Sequence, residues 1–149
     1  MPKTAAEQAE MLSQRRARAL PMLAILYFIQ QTTYLRAAAN PDPRPVDHVW
    51  IGAWVILSIL LLLGVTTRGF WFRPRAVVDL IDDEHTRANR LDSIRVGFIL
   101  SSVTGLVLYV LAPYQAITAR EAVHVILTVG LGAAILRFGL LERRGHRDA

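Results

Sequence analysis

Residues from about Val49 to Thr66, VWIGAWVILSILLLLGVT, form an uncharged apolar run long enough to dictate the surroundings of the whole chain. A segment of about 20 mostly apolar residues crosses a bilayer as a helix, because a helix satisfies its own backbone hydrogen bonds where no water is present. Two later runs are comparably apolar, from about Val96 to Leu111 and from about Ala122 to Leu141, the latter in a helix expected to start at Thr118 and carrying Arg137 near its end. A basic residue one turn from a span end is expected to snorkel to the headgroups. An earlier stretch, about Leu20 to Leu35, contains the polar run Gln30, Gln31, Thr32 and Thr33, and has Pro21 near its start, where a first helical turn tolerates the missing N–H. The sequence therefore predicts an all-α integral membrane four-helix bundle, a single domain with spans at about 20–35, 49–66, 96–111 and 118–141 and a loop at 67–95.

Charge assigns sides. Of the 17 Lys and Arg, fourteen lie in the N-terminal segment, the middle loop, the C-terminal tail or the inner end of the last span; only Arg36, Arg44 and Arg120 flank the other two loops. Basic residues resist transfer during insertion, so both termini and the 67–95 loop are expected in the cytoplasm of a bacterium, with the chain in its inner membrane. This topology, and an anionic cytoplasmic leaflet, account for the net charge of +5 without direct nucleic-acid binding. Tyr34, Trp50, Trp54 and Tyr114 fall toward the outer interface and Phe70, Trp71 and Phe72 toward the inner one, where amphipathic rings prefer to lie. A cleaved secretory signal competes for the first span, with Arg15 to Arg18, Leu20 to Ile29 and Ala37-Ala38-Ala39 as its three regions. The polar stretch before those alanines, and Arg36 beside them, argue for a span instead.

The flanks carry helix signals of their own. Thr4-Ala5-Ala6-Glu7 has capping-box spacing and predicts a short amphipathic helix leading into the first span; Thr118-Ala119-Arg120-Glu121 repeats the pattern at the start of the last. Pro41, Pro43 and Pro45 predict an irregular, rigid hairpin over 37–47.

The 67–95 loop is the most distinctive soluble segment. Val77, Leu80, Ile81, Ala88, Leu91 and Ile94 recur at helical spacing, so the third helix is expected to extend into the cytoplasm, with Asp82, Asp83, Glu84, Arg87, Arg90 and Asp92 on the opposite face. Such a face serves either as a solvated covering of the bundle end or as a docking surface, with Asp79, Asp82, Asp83, Glu84, Arg87, Asn89 and Arg90 as the contacting residues. The stretch Asp83-Glu84-His85-Thr86-Arg87-Ala88-Asn89-Arg90, followed by Gly97-Phe98 at the head of a span, resembles the D-E-x-T-R-A-N-R segment of a group of small, uncharacterised bacterial four-span membrane proteins. The likeness covers roughly twenty residues, and His85 stands where that pattern usually has Leu. Genes of that group often neighbour a helix-turn-helix regulator of the XRE type, so the resemblance implies a regulator bound at the membrane. Acidic Asp79, Asp82, Asp83 and Glu84 would then meet its basic DNA-reading surface and compete with operator DNA.

Three other constellations are weaker. Asp47 and His48 before the second helix, with Glu121 and His124 on the fourth, offer two imidazoles and two carboxylates for a metal, a proton sensor or a b-type haem. Di-iron bundles use a Glu-x-x-His motif twice and this chain has it once; Glu121 also has a capping role, so no metal or other cofactor is expected. Gln30 to Thr33 line a polar pocket or make interhelical hydrogen bonds. No acid lies deep in a span, which disfavours a proton-coupled exporter of the small multidrug type. Gly97, Ser101 and Gly105, and Gly130 with Ala134, form small-residue faces for close helix packing, within one chain or in a homodimer. The absence of cysteine, of nucleophile elbows, of phosphate loops and of zinc-helix motifs leaves no catalytic set, since His48, His85, His124 and His146 are scattered. A non-enzymatic membrane protein that recruits a cytosolic partner is expected; a small transporter or channel and an accessory subunit of a larger membrane complex are the alternatives.

Overall fold

The computed structural model describes residues 5–38, 45–67 and 84–145. All regular structure among them is helical: α1 Ala5–Ala38, α2 Pro45–Thr66, α3 Glu84–Leu111 and α4 Ala119–Gly145. Within the described residues, three stretches are long and apolar enough to cross a membrane: Val49–Thr66 with a mean hydropathy of 2.4, and α3 and α4, each with a best stretch of 1.9. At 34 residues α1 is long enough, about 51 Å at the helical rise, but Arg15, Arg16 and Arg18 on one side of Leu20–Ile29 and Gln30 to Thr33 on the other dilute its apolar stretch.

Contacts between side chains give the helix directions. Pro21 lies against Gly139 and Phe28 against Gly132, so α1 and α4 are antiparallel; Gly97 against Gly130 and Ala134, and Ser101 against Ile126, make α3 antiparallel to α4 as well. Tyr27 meets Ser58 across antiparallel α1 and α2, whereas Trp54 stacks on His124 between parallel α2 and α4. The helices thus alternate in direction. One end of the molecule carries the α3–α4 turn and the start of α2, here the turn end; the other carries the start of α3 and the finish of α4, here the terminal end.

The inner helix is α4, which packs along both α3 and α1 and touches α2. Of its most apolar stretch 44% is buried inside the protein, against 17% for α2 and 6% for α3, so the latter two turn most of their apolar surface outward. Phe98, Leu106, Val49 and Ile56 are all more than half exposed. Contiguous apolar surface of this extent is incompatible with water and suits hydrocarbon. The core itself is small: Ala24 and Tyr27 of α1, Trp54, Leu61 and Val65 of α2, and Ile135 of α4.

Two close approaches set the spacing around α4. A Cβ on Gly97 would sit 2.7 Å from the Gly130 carbonyl oxygen and 2.8 Å from the Ala134 Cβ, so the α3–α4 crossing depends on the missing side chain. A Cβ on Gly139 would sit 2.7 Å from the Pro21 ring.

Two sequence expectations need correction, and a third is met. Pro21 stands in the interior of α1, which runs unbroken from Ala5, so the lead-in helix and the first apolar stretch are one element; neighbouring helices stabilise such a proline in membrane proteins, and Gly139 leaves room for its ring. Only 39–44 separates α1 from α2 in the described structure, because Pro45 occupies the first helical position, where no N–H is needed. The third helix starts at Glu84, 12 residues before the expected span, in keeping with the predicted extension; residues 68–83 and Thr4 lie outside the described residues.

Candidate functional site

The terminal end is organised by the first turns of α3. Thr86, Asn89, Ser93 and Gly97 are buried, at the three- and four-residue spacing that places them on one helix face, and that face meets α4. Asn89 Nδ2 donates to Glu142 Oε1 at 3.2 Å, and Ser93 Oγ donates to the Asn89 carbonyl oxygen at 2.6 Å. Glu142 is only 6% exposed, so its carboxylate depends on partners within the protein. One turn deeper, Arg137 Nε meets Asp92 Oδ2 at 2.9 Å, with the side chains 41% and 43% exposed. The register of α3 on α4 brings Asp92 within reach of Arg137, so the basic residue near the end of the last apolar stretch has an acidic partner on the neighbouring helix.

The residues singled out as a docking surface divide here. Asp79, Asp82 and Asp83 lie outside the described residues. Glu84 and Arg87 are exposed in the first turn of α3, Arg90 is half-buried, and Asn89 faces α4. The apolar residues Ala88, Leu91 and Ile94 are exposed, while the more polar face is turned inward. Sequence reasoning did not single out Glu142. Its signal is an acid in the last turn of a helix, where the backbone dipole disfavours negative charge, beside Arg143 and Arg144.

At the turn end, Thr118 caps α4 reciprocally with Glu121. The Thr118 N–H and Oγ1–H donate to Glu121 Oε2 at 2.9 and 2.8 Å, and the Glu121 N–H donates to Thr118 Oγ1 at 3.2 Å. His124, 4% exposed, stacks on Trp54 with ring centroids 4.2 Å apart. The side chains of Asp47 and His48 lie outside the described residues, and among those described no three His, Asp or Glu converge as a metal site. Ile51 and Val55 of α2 and Arg120, Val123 and Leu127 of α4 enclose, with this ring pair, a groove of about 440 Å³.

Between the two ends, Tyr27 Oη and Ser58 Oγ share a buried hydrogen bond of 3.0 Å, and Gln31 Nε2 donates to the Tyr27 carbonyl oxygen at 3.0 Å. Gln31 Oε1 on α1 and Thr128 Oγ1 on α4 are buried with no hydrogen-bond partner among the described residues. Gln30 is half-buried, and the side chains of Thr32 and Thr33 lie outside the described residues.

The small residues fall into one interface. Gly97, Ser101, Gly130 and Ala134 meet at the α3–α4 crossing, and Gly105 faces Ile126 of α4 within the same chain. In comparisons with known proteins, no family model, no curated protein and no solved structure matches this chain.

Proposed function

We propose that this is a non-enzymatic integral membrane protein of the bacterial inner membrane, a four-helix bundle with both termini in the cytoplasm, that recruits or sequesters a soluble partner at its terminal end. The fourteen-to-three distribution of basic residues supports that orientation. Packing supports counting α1 as a span: Leu20 to Phe28 lie along Gly132 to Gly139, well inside the apolar length of α4, so α1 occupies the same depth despite its polar residues. Two of its polar groups turn inward, Tyr27 onto Ser58 and Gln31 onto the backbone of its own helix.

The observation that carries the recruitment reading is the tie between α3 and α4. Asn89–Glu142 and Asp92–Arg137 fasten the start of one helix to the finish of the other, and exposed Glu84, Arg87, Arg143 and Arg144 stand at that end. A docking surface built on packed helices holds its charges in place, which favours specific recognition over a loose loop. The resemblance of residues 83–90 points to a helix-turn-helix regulator of the XRE type as the partner. Affinity purification in mild detergent, beside a variant carrying Asp82→Lys, Asp83→Lys and Glu84→Lys, tests this. A stoichiometric soluble partner lost from the variant is expected; a co-purifying set unchanged by the variant contradicts the reading.

A second reading, a small transporter, draws on the unpartnered Gln31 Oε1 and Thr128 Oγ1. It predicts a ligand that raises thermal stability and loses that effect in Gln31→Ala. No such ligand across a substrate panel removes it.

A further inference from the structure

The groove between α2 and α4 is graded from polar to apolar along the axis of α4. Arg120, exposed, is the second residue of α4, at the level where the helix emerges toward the turn. Val123 and Leu127 follow at three and seven residues, so Leu127 lies about 10 Å deeper on the same face. Ile51 and Val55 form the opposite wall, and the Trp54–His124 ring pair, nearly inaccessible, closes the back. The depth is aliphatic, and Arg120 stands at the rim.

A water-soluble ligand would find almost nothing polar to bind inside. Hydrocarbon fits the walls, and a phosphate fits the rim, since a guanidinium recognises phosphate oxygens in a planar, two-point manner. The first turn of α4 adds the positive end of a helix dipole at the same level. The neighbouring carboxylate, Glu121, is turned back onto Thr118.

We propose that this groove is a site for an anionic glycerophospholipid, with one acyl chain against Ile51, Val55, Val123 and Leu127 and the phosphate paired with Arg120. The proposal rests on the membrane setting and is independent of partner recruitment at the other end.

Native mass spectrometry of the detergent-purified protein, titrated with a phosphatidylglycerol and a phosphatidylcholine of identical chains, tests it. The first phosphatidylglycerol is expected to bind about tenfold more tightly than the phosphatidylcholine, and Arg120→Gln is expected to remove that preference. Val123→Trp fills the groove and is expected to weaken both lipids, while Arg143→Gln, an equal loss of charge at the opposite end, leaves the preference intact. The proposal is overturned by a wild-type protein without the preference, by a preference that survives Arg120→Gln, by an equal loss in Arg143→Gln, or by lipid binding unaltered in Val123→Trp. Should Val123→Trp fail to fold, the exposed rim substitution Arg120→Gln decides alone.

Discussion

Two side-chain positions carry much of the α3–α4 interface. At Gly97 an added methyl meets a backbone carbonyl, which cannot rotate away, so Gly97→Ala is expected to destabilise the protein by about 1–3 kcal/mol. Ala134→Gly in the same chain removes only one of the two clashes and should restore part of the loss; denaturation in detergent micelles reads both. At Asn89 the amide serves a buried carboxylate, so Asn89→Ala is expected to cost about 1–3 kcal/mol. The double variant with Glu142→Ala should cost less than the two single losses added together, and strict additivity in that cycle would show that the two side chains act independently. The small-residue spacing around Gly97 was legible in the sequence because it repeats on one helix. Asn89 and Glu142 were not, because their pairing depends on which helices are neighbours, and 53 positions separate them.

Among the elements, α1 depends most on its partners. Its apolar stretch is diluted by polar residues, and it is placed by contact: Pro21 on Gly139, Phe28 on Gly132, Tyr27 on Ser58. The native chain has no cysteine, so single cysteines report position cleanly. Ile25→Cys, on an exposed apolar face of α1, is expected to resist membrane-impermeant maleimide from both sides until detergent is added, while Glu10→Cys labels from the cytoplasmic side. Labelling of Ile25→Cys in intact vesicles would place α1 outside the bilayer. The opening of α3 follows the same logic in reverse. Its apolar residues Leu91 and Ile94 are regularly spaced and read as an inward face in a soluble helix, yet they point outward, and Thr86, Asn89 and Ser93 point in. Where lipid or a membrane surface is the surroundings, polar groups gain more from one another than from the exterior.

For the molecule as a whole, α4 is the shared support: α1 and α3 flank it antiparallel, and α2 meets it through the Trp54–His124 stack. Helical class and three of the apolar spans were legible because length and hydropathy suffice for them; the central place of α4 was not, because its small residues resemble those of α3 until both are packed. The two ends differ in chemistry. The turn end presents an apolar groove with Arg120 at its rim, and the terminal end presents exposed charges of both signs, Glu84, Arg87, Arg143 and Arg144, on the helices joined by the α3–α4 tie. The proposed recruitment assigns the partner to the terminal end alone. Photo-crosslinking in living cells tests it most directly, with p-benzoylphenylalanine placed either at Ala88, exposed beside Glu84 and Arg87, or at Tyr114, exposed in the α3–α4 turn. The account predicts a discrete adduct with one soluble protein from position 88, lost when Asp82, Asp83 and Glu84 are changed to Lys, and none from position 114; no adduct from 88, or the same adduct from both, would contradict it.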